Sequence, residues 1–169
     1  MQSLTLVQVL LLMLLSLWMS MSQLKAAEES IIMGGALIAP PLCKINDDER
    51  VDLNFDRVSI EKIDGVQYRK ILDYSISCED IPENHGGVFN LTLSGKAASF
   101  SPTRSAILTN IDQLAIQVYQ NGKPFVLGVP IRISLNQIPI LEAVPIKAED
   151  AKLQEKPFEA TATLQVDFQ

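Results

Sequence analysis

The chain has 169 residues, 47% of them hydrophobic, with 14 Lys+Arg against 20 Asp+Glu for a formal net charge of −6. That is the length of one domain with accessory segments, and an acidic balance without a Lys/Arg cluster argues against nucleic acid or an anionic membrane surface as the main partner. One histidine and two cysteines are too few for a Cys/His zinc site or a Cys-His or Ser-His nucleophile, so the composition leans away from an enzyme.

The first element is an address. Met1 to Leu24 carries no charged side chain, and residues 4–18 are nearly all Leu, Val and Met. Ser20, Ser22 and then Leu24-Lys25-Ala26-Ala27 precede the acidic Glu28-Glu29. An apolar core that ends in small residues predicts a secretory signal peptide over residues 1–27, cleaved after Ala26 or Ala27. An uncleaved membrane anchor is the competing reading, because the apolar run approaches spanning length.

Residues 28–39 read as a separate extension. Ile31, Met33, Gly35 and Leu37 fall on one face of an extended segment, and Pro40-Pro41 stiffens its exit and blocks continuation of a ladder. A glycine inside a β-favouring run suits close approach by another backbone. In an exported chain two cysteines allow one pairing, Cys43 with Cys78. A redox role would normally show Cys-x-x-Cys, which is absent, so a structural staple is expected.

From there the dominant period is two. Val51, Leu53 and Phe55 alternate with Asp52 and Asn54; Leu72, Tyr74, Ile76 and Cys78 alternate with Asp73, Ser75 and Ser77. Phe89, Leu91 and Leu93 follow, then Leu114, Ile116 and Val118, a turn at Asn121-Gly122, and apolar runs at 125–127, 131–135 and 138–146. Pro130, Pro139 and Pro145 place their segments at edges, bends or strand ends. Residues 148–155 have local helical character, enough for one turn. Short alternating runs separated by Gly, Pro, Asn and Asp predict an all-β, immunoglobulin-like sandwich of about six or seven antiparallel strands.

The last run is the cleanest. Phe158, Ala160, Ala162, Leu164, Val166 and Phe168 face one way, and Glu159, Thr161, Thr163, Gln165 and Asp167 the other, up to Gln169. A sandwich ending on such a strand leaves an edge beside an open core, a hazard unless something covers it. An apolar extension at one end and an uncovered strand at the other are complementary halves, which predicts strand addition between subunits. The alternative is a complete domain whose own N-terminal segment folds back as an ordinary strand.

Taken in order, these pieces resemble the pilins of the bacterial chaperone–usher family, in particular minor subunits of type 1 and P pili. The resemblance rests on the signal segment, Ile31-x-Met33-x-Gly35-x-Leu37, Pro40-Pro41-Leu42-Cys43-Lys44-Ile45-Asn46, Val51-Asp52-Leu53-Asn54-Phe55, Ile63-Asp64-Gly65 and Tyr74-Ser75-Ile76-Ser77-Cys78. The ending Ala160-Thr161-Ala162-Thr163-Leu164-Gln165-Val166-Asp167-Phe168-Gln169 completes it. It implies a pilin domain over 40–169 that lacks its final strand and is completed by donor-strand exchange. A periplasmic chaperone lends a strand first, and the next subunit's extension replaces it at the outer-membrane usher. Ile31, Met33, Gly35 and Leu37 would be the donor residues. Phe158, Ala160, Ala162, Leu164, Val166 and Phe168 would flank the acceptor groove, and the Gln169 carboxylate would anchor on a chaperone cation. The chain departs from the pattern at Phe168, where the family usually has Tyr, and at Glu155 or Lys156, which stand near the place of a usual glycine.

The function implied is that of a structural, non-enzymatic subunit, minor or adaptor, of a pilus on the bacterial surface, exported through the periplasm and supporting adhesion. It needs no cofactor or metal, and its partners are chaperone, usher and neighbouring pilins. A sugar-binding adhesin, or another secreted immunoglobulin-like binding module, is the alternative. Tip adhesins of the family carry an extra lectin domain, for which the mature length leaves no room. A secreted hydrolase would need a catalytic set that the residues do not offer. His85 lies in a turn-rich stretch and reads as a solvated loop residue. Asp47-Asp48-Glu49 lacks the glycine and ligand spacing of a calcium loop. Asn90-Leu91-Thr92 matches a glycosylation sequon in mid-strand, and Gly34-Gly35 has no strand-loop-helix context for phosphate.

Overall fold

Alternating apolar residues can be buried only if sheets face each other, and the computed structural model of this chain places them that way. It describes residues 29–35, 37, 39–81 and 87–169 and distinguishes two units, Met1–Leu37 and Ile38–Gln169. In the first unit the described residues lie in no helix or strand. The signal segment, Ala36, Ile38 and His85 fall outside the described residues.

The second unit is built from antiparallel strands: β1 (Leu42–Ile45), β2 (Lys70–Leu72), β3 (Ile76–Glu79), β4 (Phe89–Gly95), β5 (Ala106–Leu108), β6 (Leu114–Gln120), β7 (Lys123–Pro124), β8 (Ile131–Ile133), β9 (Leu141–Lys147) and β10 (Ala162–Phe168). One sheet has the order β2-β9-β6-β5, with β7 paired to β6; a second has the order β10-β4-β8; β1 and β3 form a two-stranded ribbon. Leu91 and Leu93 of β4 meet Ile107, Val118 and Leu141 of the larger sheet, with Tyr74 and Phe125, in one buried cluster. Such a two-sheet core with neither sheet closed is the immunoglobulin-like architecture.

Two expectations about the strands change, and a third is met in an unexpected place. The run from Leu72 to Cys78 is not one strand. It breaks at residues 73–75, so that β2 joins β9 while β3 joins β1. Tyr74, at the break, is buried and donates its hydroxyl hydrogen to Pro139 O at 2.6 Å. Pro145 lies inside β9 and is buried opposite Ile116, at a place where that strand is an edge. It is tolerated because β2 pairs with β9 only as far as Ala143, so the strand has β6 alone beside it there. Residues 51–55 alternate in burial but belong to no ladder among the described residues.

Residues on the polar side of the alternation are also covered in places. Gln117 of β6 is buried because residues 97–105 fold over that face, where Ser101 and Ser105 hydrogen-bond its amide. The turn after Ile63 is held by Asp64. Its carboxylate accepts the backbone N–H of Gln67 and of Val66, and both bonds hold its carboxyl below the ordinary value. Residues 148–155 make a single turn, closed by Ala151 N–H on Ala148 O at 3.2 Å.

Candidate functional site

The two cysteines are opposite each other in the β1–β3 ribbon and are joined, Cys43 to Cys78, closing a sequence separation of 35. A lone two-stranded ribbon is marginal in water, so the bond fixes β1 in place. β1 in turn runs alongside β10 without forming a ladder with it.

β10 is the centre of the site. It pairs with β4 over its whole length, from Ala162 opposite Gly95 to Phe168 opposite Phe89, and is the end strand of its sheet. Among the described residues no strand ladders onto its other edge, the side to which a further strand could be added. The partners on β4 are fully enclosed, Leu91 at 0% exposure and Leu93 at 4%. On β10 itself no residue is buried: Leu164, Val166 and Phe168 are half-buried and Ala162 is exposed. Leu164 and Val166 pack on the main core cluster from its uncovered side. The strand with the strictest apolar alternation thus has no fully buried residue.

Phe158 and Ala160 precede β10. Phe158 packs in a smaller cluster with Ile63, Ile111, Leu114, Val58 and Leu153, while Ala160 is exposed. At the other end the Phe168 ring lies 5.1 Å from that of Phe89 and covers Gly87, where a Cβ would overlap it. Gln169 extends the pairing: its N–H donates to Val88 O at 2.9 Å, and Val88 N–H donates back to a terminal oxygen of Gln169.

The opposite border was not recognised as such in the sequence. Residues 51–58 run along the same core, with Val51 on the main cluster and Val58 on the smaller one. The Phe55 and Phe158 rings stand 6.1 Å apart. The strand-like alternation of Val51, Leu53 and Phe55 without a ladder is the signal that pointed there. Two strips that no further ladder joins among the described residues, 51–58 and the outer edge of β10, border the main and the smaller apolar clusters. That is the arrangement into which an extended segment with apolar residues at every second position would fit.

In the first unit Ile31, Met33 and Leu37 are exposed at 77%, 87% and 104%, and Gly35 is also exposed. Asp47 and Asp48 lie with Asn46 in a tight turn in which all three take φ between 52° and 65°. Among the described residues no cluster of His, Cys, Asp or Glu is placed to hold a metal ion.

Residues 31–169 match the sequence family described as fimbrial protein. The chain belongs to that family. It is 35% identical over 147 residues to the uncharacterized fimbrial-like protein YfcQ of Escherichia coli strain K12, covering 85% of this chain and 90% of that one. The fold is shared with the P pilus rod subunit PapA, at a TM-score of 0.61 and 19% identity over 83% of this chain and 100% of that one. It is shared too with the P pilus adaptor subunit PapF, at a TM-score of 0.55 and 21% identity over 78% and 98% of the two chains. This chain is a fimbrial subunit, a structural protein of that family with the fold of a pilin.

Proposed function

We propose that this pilin polymerises by donating its own N-terminal strand and accepting another subunit's strand in the groove between residues 51–58 and β10. The observation that carries the reading is β10: a fully apolar-faced strand, paired on one edge, with none of its residues buried. The extension matches it in length. From Ile31 to Leu37 and from Ala162 to Phe168 are both six steps, on the order of 20 Å in an extended chain. Each presents four alternate positions, Ile31, Met33, Gly35 and Leu37 against Ala162, Leu164, Val166 and Phe168.

Burying Ile31, Met33 and Leu37 would contribute on the order of 5–8 kcal/mol before ordering costs, and each ladder bond a further net ~1 kcal/mol. Before assembly a periplasmic chaperone holds the groove, and an outer-membrane usher exchanges its strand for that of the next subunit. The Gln169 carboxylate, one oxygen of which accepts Val88 N–H, keeps lone pairs for a chaperone cation. The boundaries follow: 1–27 removed on export, 28–39 the donor extension, 40–169 the pilin domain. The product lies outside the cell in an adhesive fibre, with the chain as a minor or adaptor subunit, a placement supported by its sequence resemblance to such subunits.

The test uses the chain from residue 28 and a labelled peptide of residues 29–41. Saturable binding is expected, with hydrogen-exchange protection gained along the outer edge of β10. A peptide with Met33→Asp should bind at least about a hundredfold more weakly, since a charge must then be desolvated on the apolar floor. Absence of both binding and protection overturns the reading.

A further inference from the structure

Residues 51–58 lack what ordinarily holds a strand-like strip. Among the described residues their backbone makes no hydrogen bond to other backbone. Side chains hold the strip instead. Lys70 Nζ, reaching from β2, donates to Asn54 O at 2.6 Å and to the Asp56 carboxylate at 2.8 Å. Asp56 N–H donates to Asn54 Oδ1 at 2.8 Å, and Asp56 takes φ +57°, which ends the extended stretch. Further on, Ser59 N–H donates to Tyr68 Oη at 3.1 Å, and Lys147 Nζ donates to Ile60 O at 2.7 Å. Among the described residues, Lys70 is what grips the part that borders the groove.

Its point of grip sets an orientation. Along an extended chain the N–H and C=O of one residue point to one edge, and those of its neighbours to the other. Lys70 draws the Asn54 carbonyl to the side of β2. The N–H and C=O of Leu53 and Phe55 then point to the opposite edge, where the ladder is missing. Because Val51, Leu53 and Phe55 are the half-buried residues of the strip, the same grip keeps their side chains on the core.

We propose that Lys70 is a positioning residue for strand uptake: it holds residues 51–56 with their free backbone edge turned toward the incoming strand. The inference rests on the donor-strand reading above and adds to it a specific residue on the border away from β10. Without the ammonium the strip keeps its apolar contacts but loses the bond that fixes its rotation about its own axis.

The experiment compares the chain from residue 28 with its Lys70→Met, Lys70→Arg and Asp56→Ala variants, using the labelled peptide of residues 29–41. Association rates come from stopped-flow anisotropy, residue-level protection from hydrogen exchange, and stability from unfolding midpoints without peptide. In the parent chain the amides of Val51, Leu53 and Phe55 should become protected together with those of β10. Lys70→Met should slow uptake about tenfold, the worth of one charged hydrogen bond, and abolish protection at 51, 53 and 55 while β10 still gains it. Lys70→Arg should restore most of both effects, because a guanidinium can bridge a carbonyl and a carboxylate. A purely structural Lys70 would lower the midpoint yet leave the protection pattern intact, and that result overturns the proposal. Should Lys70→Met fail to fold, Asp56→Ala, which removes an exposed acceptor, still decides: uptake at the parent rate overturns it, and slowed uptake supports it. If the parent chain shows no protection on β10, the donor-strand reading falls and this inference with it. If β10 is protected equally in all variants along with 51–55, only the role of Lys70 falls.

Discussion

Tyr74 shows how one side chain ties a break in the strand pattern to the core. Its ring belongs to the main buried cluster, and its hydroxyl is spent on the buried Pro139 carbonyl. Burial pushes its ionisation up from 10.0 to about 12. The unfolded chain ionises this group near its ordinary value while the folded chain resists, so the stability gained from a neutral phenol is complete below about pH 10 and is lost as the pH rises toward 12. Tyr74→Phe should remove that alkaline component and cost about 1–3 kcal/mol near neutrality, since Pro139 O is left buried without a donor. Urea unfolding of both chains between pH 7 and 11.5 checks the two effects together.

Among the elements, the β1–β3 ribbon and β10 divide the work. The ribbon has two short strands of four residues each, and the Cys43–Cys78 bond does for it what further strands would do in a larger sheet. In the chain-entropy account a closed loop with a sequence separation of 35 contributes about 4 kcal/mol. Reducing the bond, or the pair Cys43→Ser with Cys78→Ser, should lower the unfolding free energy by about that much, as measured with and without reductant. The loss should be felt at β10 as well, because β1 lies alongside it. β10 illustrates the opposite economy. Its registry with β4 is complete, so its position is set within the chain, whereas under the proposed strand uptake its burial would be completed by the incoming strand.

For the whole molecule, the proposed donor and acceptor would be separate parts of the chain, and they can be removed separately. Deleting residues 28–39 leaves β10, residues 51–58 and the disulfide untouched. The shortened subunit should accept a donor strand but have none to give. It should therefore bind the 29–41 peptide about as well as the parent chain, yet block growth when mixed with it. Fibre lengths counted by electron microscopy at increasing fractions of the truncated chain should shorten in proportion. Fibres of undiminished length would refute the assignment of these residues as donors.

Much of this was legible in the residues because the relevant signals are local. A period of two in Leu91/Leu93, Leu114/Ile116/Val118 and Leu164/Val166/Phe168 names a strand and its inward face whatever the partner is, and two cysteines admit one pairing. What lay beyond the sequence is what depends on the neighbour. Val51, Leu53 and Phe55 carry the same alternation as true strands, and only the tertiary structure shows that no ladder reaches them among the described residues. Pro145 reads as an edge, a bend or a strand end, and only β2 stopping short of it shows that it is an edge. Lys70 and Asn54 are 16 positions apart, and nothing in either residue announces the other. Side-chain direction is written in the chain because covalent geometry alternates it. Hydrogen-bond partnership is decided by which backbones come within about 5 Å, and that is a property of the folded molecule alone.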